Sequence, residues 1–175
     1  MHLKQSNPLQ DNLNYGIIGN CKSSALINED SSIEWCCLPQ FDSPSVFGKI
    51  LDEKKGGFFK IECDVSYKIT QKYLDKTAIL ITRFDNGEDA FQLVDFMPRF
   101  QKDSGVYYAP PEVSRLIKVL KGNPMIKVNY DPKLEYAQGD TKTYVKNDFI
   151  ISIVDDERYD TLTLYTDLDL SLIHI

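Results

Sequence analysis

The chain has 175 residues, of which 26 are acidic and 20 basic, giving a formal net charge of −6 and a pI near 4.9. That length predicts one domain, or one domain with a tail, and 42% apolar with 26% charged residues excludes wholesale disorder. The acidic balance excludes the basic face that nucleic acid requires, and no apolar run approaches the roughly 18 residues of a membrane span.

Residues 1–12 read as an N-terminal extension. Met1–Pro8 has no apolar signal-peptide core, so a cytoplasmic location is expected. Beyond it the dominant hydrophobic period is two. Ser24–Asn28 and Ile33–Leu38 flank Glu29-Asp30-Ser31-Ser32 and predict a hairpin. Pro39–Pro44 is expected to be a loop. Ser45–Leu51 is the best helix candidate, with Ser43 as a cap and Pro44 suited to the first turn. Phe58–Cys63 places Phe59, Ile61 and Cys63 on one face of a strand. Ala78–Phe84 and Asp89–Phe96 are joined by Asp85-Asn86-Gly87-Glu88, where Asn-Gly suits a type I′ turn. Phe100–Pro111 reads as a second long loop, because consecutive prolines oppose sheet pairing. Val113–Leu120, Met125–Tyr130, Phe149–Val154 and Thr161–Thr166 complete the strands. The expected fold is all-β, an antiparallel β-sandwich of supersandwich type over residues 13–169, with at most one or two short helices.

Leu170–Ile175 matches the translation of CTG-TCT-CTT-ATA-CAC-ATC, a transposon end used to prepare sequencing libraries. These six residues are expected to be an adapter-derived tail on a truncated domain.

The chemistry available is narrow. The only histidines, His2 and His174, sit at the ends, so Ser–His–Asp, Cys–His and histidine–metal chemistry have no base or ligand in between. Cys21, Cys36, Cys37 and Cys63 include no CxxC pair and read as buried, reduced thiols. No phosphate-binding glycine motif is present. Asp155-Asp156-Glu157 lacks spaced oxygen ligands around a glycine and reads as a solvated turn. No metal, cofactor or catalytic constellation is expected.

One stretch is more specific. Tyr15-Gly16-Ile17-Ile18-Gly19-Asn20-Cys21 leads through Ser24-Ala25-Leu26-Ile27 to Ser32-Ile33-Glu34-Trp35-Cys36-Cys37-Leu38-Pro39-Gln40-Phe41-Asp42-Ser43-Pro44-Ser45-Val46-Phe47. Leu93-Val94-Asp95-Phe96-Met97-Pro98 and Arg115-Leu116-Ile117-Lys118-Val119-Leu120-Lys121-Gly122 follow in order. Together they closely resemble the N-terminal domain of glucoamylase- and trehalase-type enzymes of glycoside hydrolase family 15, over roughly residues 13 to 154. Cys36 and Gln40 depart from the family pattern, which carries an apolar residue and often a basic one there.

The resemblance implies an N-terminal β-sandwich followed by an α/α-toroid catalytic domain that hydrolyses α-glucosides with inversion, using two carboxyl groups. Both glutamates belong to the toroid, which is absent here, so this chain is expected to be inactive alone. Its expected partners are that toroid and, through it, an α-glucoside. The alternative is a stand-alone carbohydrate-binding or protein-interaction module, since a sandwich serves either role.

The segment Trp35–Phe47 is the expected contact with substrate or toroid, through Trp35, Phe41, Asp42, Ser43 and Phe47. Asp42 has two readings: a turn cap, favoured by Asp–Ser–Pro, or a carboxylate facing a sugar. Trp35, the only tryptophan, reads as core before sugar platform. Asp95 and Arg99 are expected to pair, and Tyr107 with Tyr108 to dock on the toroid.

Overall fold

The computed structural model describes residues 14–154, 160–170 and the backbone of 173–174. The N-terminal extension, Asp155-Asp156-Glu157 and most of the adapter-like tail lie outside the described residues.

The chain is all-β. A first sheet runs β1 (Tyr15–Gly19), β2 (Ser24–Asn28), β3 (Ile33–Cys37), β5 (Phe58–Glu62), β12 (Lys127–Asp131) and β16 (Ile173–His174), with β4 (Ser45–Phe47) also pairing on β3. A second runs β11 (Ser114–Lys121), β8 (Ala90–Phe96), β7 (Leu80–Asp85) and β6 (Lys68–Tyr73). The third is β13 (Thr141–Val145), β14 (Phe149–Val154) and β15 (Thr161–Tyr165), and β9 (Phe100–Gln101) pairs with β10 (Tyr107–Tyr108) as a small ribbon. All these pairs are antiparallel except β12–β16. Among the described residues no helix is long and apolar enough to cross a membrane.

Alternation explains the layering. On β8, Phe91, Leu93 and Asp95 point inward while Gln92, Val94 and Phe96 are half-buried. Phe84 of β7 stacks on Phe91 with centroids 4.5 Å apart. Together with Leu93 they pack on the paired residues Ile61 and Val128 of the first sheet. A second cluster joins Ile18, Ala25, Ile27, Ile33 and Cys36 of the first sheet to Leu80 and Met97, then to Ile150 and Val154 of the third. Two sheets facing each other across such side chains form a sandwich.

A bulge fixes the orientation of β3. Leu26 pairs with Trp35 but Ile27 pairs with Ile33, so Glu34 is an extra residue on β3. The insertion resets the period of two, and Ile33 and Cys36 both enter the core. Trp35 is thereby left half-buried and outside the core clusters, which corrects its reading as a core residue.

Three other expectations change. Ser45–Leu51 is not a helix: Ser45, Val46 and Phe47 are all buried, and Phe47 and Ser45 pair with Cys36 and Cys37. Burial on both sides suits a strand, and the chain then turns at Gly48. The β7–β8 hairpin forms, but of residues 86–89 only Gly87 takes positive φ, so the turn is not type I′. Asp95 pairs with Arg115 rather than Arg99, because Arg115 lies directly opposite it in register whereas Arg99 lies beyond the end of β8.

Candidate functional site

Three loops converge at one end of the sandwich. The turn after β1 is organised by Asn20, which is almost wholly buried. Its side-chain oxygen accepts from the Lys22 and Ser23 N–H groups at 3.1 and 3.0 Å, and its amide donates to the Pro110 carbonyl at 2.9 Å. Ser23 Oγ donates to the Cys37 carbonyl, and the Phe41 N–H donates to the Lys22 carbonyl at 2.9 Å. The β1–β2 turn therefore holds the loop after β3 on one side and the segment after β10 on the other.

The third loop carries exposed aromatic rings and cations. Arg99 donates to Cys21 Sγ at 3.3 Å and lies 4.6 Å over the Tyr107 ring. Lys102 sits 4.1 Å over Tyr108, whose ring meets Phe100 edge-on at 5.4 Å. Phe100, Val106, Tyr107 and Tyr108 are all exposed. The ribbon β9–β10 forms here because Pro110 and Pro111 come after its last pair, so they do not interrupt it. Each cation–ring contact contributes about 0.5–1 kcal/mol at an exposed site and orders an otherwise long loop.

The expected contact segment is split by this geometry. Phe41, with 59% of its surface exposed, and Asp42 project at the loop tip. Ser43 is half-buried and caps its own turn: its Oγ accepts from the Gln40 N–H at 3.3 Å, and its N–H donates to the Gln40 carbonyl. Asp42 does not fill the capping role, and no partner for its carboxylate is found among the described residues. Phe47 lies in the core, edge-on to Tyr130 at 6.1 Å. Trp35 faces outward from β3, in a cross-strand row with Leu26 and Ile17.

Tyr136 joins this surface and was not visible in the sequence. Its ring lies 6.3 Å from Trp35 at an interplanar angle of 34°, and its hydroxyl donates to the Ser43 carbonyl at 3.5 Å. It is displayed by a three-residue left-handed turn, Glu135–Ala137, that contains neither glycine nor asparagine. A positive-φ signal in the sequence would have been the only clue.

The thiols divide by burial. Burial and the neighbouring Cys37 push Cys36 up to about 12, and burial pushes Cys37 up as well. Burial, with Asp64 beside it, raises Cys63 to about 11. All four thiols are free, but Cys21 is exposed, which corrects the expectation that all are buried. Among the described residues no three His, Cys, Asp or Glu side chains are grouped as a metal ion needs. The loop end offers stacking faces, cations and, in Asp42, a carboxylate without a partner among the described residues, which is binding chemistry.

The chain matches the trehalase-like N-terminal domain family over residues 5–157. It is 34% identical to Trehalase 2 of Sulfolobus acidocaldarius over 139 residues, covering 79% of this chain and 22% of that protein. It is 34% identical to a trehalase of Thermoplasma volcanium over 71% of this chain and 20% of that protein. A trehalase of Mycolicibacterium smegmatis is 41% identical over 76 residues, 43% of this chain and 11% of that protein. The chain thus spans about a fifth of the length of the first two relatives. No solved structure matches it.

Proposed function

Since the chain belongs to the trehalase-like N-terminal domain family, we propose that it is the non-catalytic N-terminal domain of a cytoplasmic α-glucoside hydrolase of glycoside hydrolase family 15, of glucoamylase or trehalase type. Its role is to pack on the α/α-toroid that carries both catalytic carboxyl groups and to shape the mouth of that active site. The observation that carries the reading is the loop end of the sandwich. Exposed Phe41, Phe100, Tyr107 and Tyr108 stand there beside Arg99 and Lys102 on a chain that is acidic overall. Clustered exposed aromatics with a polar rim mark a contact surface.

The test is gel filtration with light scattering of this chain mixed with a trehalase of the family lacking its own N-terminal fifth. A 1:1 complex that Tyr107→Ala weakens supports the reading. Two separate peaks overturn it in favour of a stand-alone module.

A further inference from the structure

Glu135, Tyr136 and Ala137 hold φ values of 52°, 56° and 57° in succession. L residues visit this region singly, and such outliers persist only where the surroundings over-determine them, often at ligand sites. The surroundings here are firm. Leu134 is buried in the core, and its N–H donates to Thr141 Oγ1 at 2.9 Å. The Lys133 N–H donates to the Val46 carbonyl at 3.0 Å, and the Ala137 N–H closes the turn on the Leu134 carbonyl at 3.0 Å.

Core burial does not account for this conformation, because Tyr136 retains 45% of its exposure. What the turn accomplishes is to stand a second ring beside Trp35, inclined by 34° and 6.3 Å away. Both rings keep part of their surface exposed. The Tyr136 hydroxyl reaches the Ser43 carbonyl, so the pair borders the loop Gln40–Ser43, whose Asp42 carboxylate has no partner among the described residues. A pyranose ring suits this surface: its C–H face packs on aromatic faces, and its edge hydroxyls donate to a carboxylate.

We propose that Trp35 and Tyr136 form a stacking platform for one glucosyl ring of an α-glucoside, with Asp42 accepting hydrogen bonds from its hydroxyls. The proposal deepens the reading that this loop borders a sugar site and rests on it. Tyr136 is a binding residue, and Glu135 and Ala137 are positioning residues that act through it.

Trp35 is the only tryptophan, so its fluorescence reports on the platform alone. The 175-residue chain is titrated with trehalose and with maltose. The expected result is a saturable change in Trp35 emission with at least one sugar. Tyr136→Ala weakens the affinity roughly tenfold, Tyr136→Phe retains it, and Asp42→Asn weakens it without changing the emission of the free protein. Far-UV circular dichroism establishes that each variant is folded, and Asp42→Asn, in an exposed loop, carries the test if Tyr136→Ala does not fold. Emission unmoved by either sugar, or equal affinity in the folded variants, overturns the proposal. A complex with the toroid but silent emission refutes the platform and leaves the domain reading standing. Saturable emission without a complex does the reverse.

Discussion

Asp95 and Arg115 face each other in register across β8 and β11, their side chains 2.9 Å apart and 0% and 4% exposed. The remaining guanidinium N–H groups donate to the Phe59 carbonyl at 2.8 Å and to the Ser31 carbonyl at 2.5 Å. One arginine on the second sheet therefore satisfies backbone acceptors on the first, and the pair bolts the sandwich together. Removing one partner strands a buried charge. Asp95→Ala is expected to cost about 3–5 kcal/mol in urea denaturation, whereas Arg83→Ala, from an exposed pair with Asp85, costs about 0–1 kcal/mol.

Glycines at two turns have different jobs. Gly56 accepts at its carbonyl from the Gly48 N–H at 2.6 Å, and a Cβ on Gly56 would lie 2.2 Å from the Gly48 carbonyl oxygen. Gly87 sits at φ 90° with nothing within 4 Å of an added Cβ. Gly56→Ala forces two backbone segments apart and should lower the melting temperature more than Gly87→Ala, which costs about 1–2 kcal/mol of left-handed strain.

Thiol reactivity should follow burial. A thiol-specific chromogenic reagent at pH 8 is expected to label Cys21 first in the folded chain and Cys36 only on unfolding, with Cys21→Ser abolishing the fast phase.

The same burial gives a pH dependence of stability. Cys36 keeps its proton up to about 12 when folded and loses it near 9 when unfolded. Between those values the unfolded state binds fewer protons, so stability falls as pH rises, by about 1.4 kcal/mol per pH unit for each such thiol. Cys63, raised to about 11, adds to the slope over a narrower window. Urea midpoints from pH 8 to 11 should decline, and Cys36→Ala should flatten the decline.

Much of the fold was legible because a sandwich strand buries alternate residues. Phe149–Val154, Ser24–Asn28 and the β7–β8 hairpin show that period plainly. Strands β6 and β13 escaped notice because Lys68–Tyr73 and Thr141–Val145 bury no residue fully, so edge position rather than hydrophobicity defines them. The bulge at Glu34 could not be read from sequence, and with it went the outward turn of Trp35. The partner of Asp95 was misplaced for a related reason. Arg99 is nearer along the chain, but only the register of β11 shows that Arg115 is opposite. The exposed loop position of Phe41 and Asp42 was legible because turn-forming composition gives it away. Tyr136 was not, because its placement depends on three left-handed residues that no local motif announces.

The loop end should tolerate change without loss of fold. Phe41→Ala removes an exposed ring and should alter stability by no more than about 0.5 kcal/mol, and Tyr107→Ala, which also loses the Arg99 contact, by about 0.5–1 kcal/mol. Both should nevertheless weaken association with a trehalase catalytic segment, read as an increased dissociation constant in the same buffer.

Trehalose hydrolysis tests the central claim most directly, assayed for this chain alone, for a trehalase of the family lacking its N-terminal fifth, and for the two together. The account predicts no turnover by the chain alone and more turnover by the mixture than by the truncated enzyme. Hydrolysis by the chain alone, or a mixture no faster than the truncated enzyme, would contradict it.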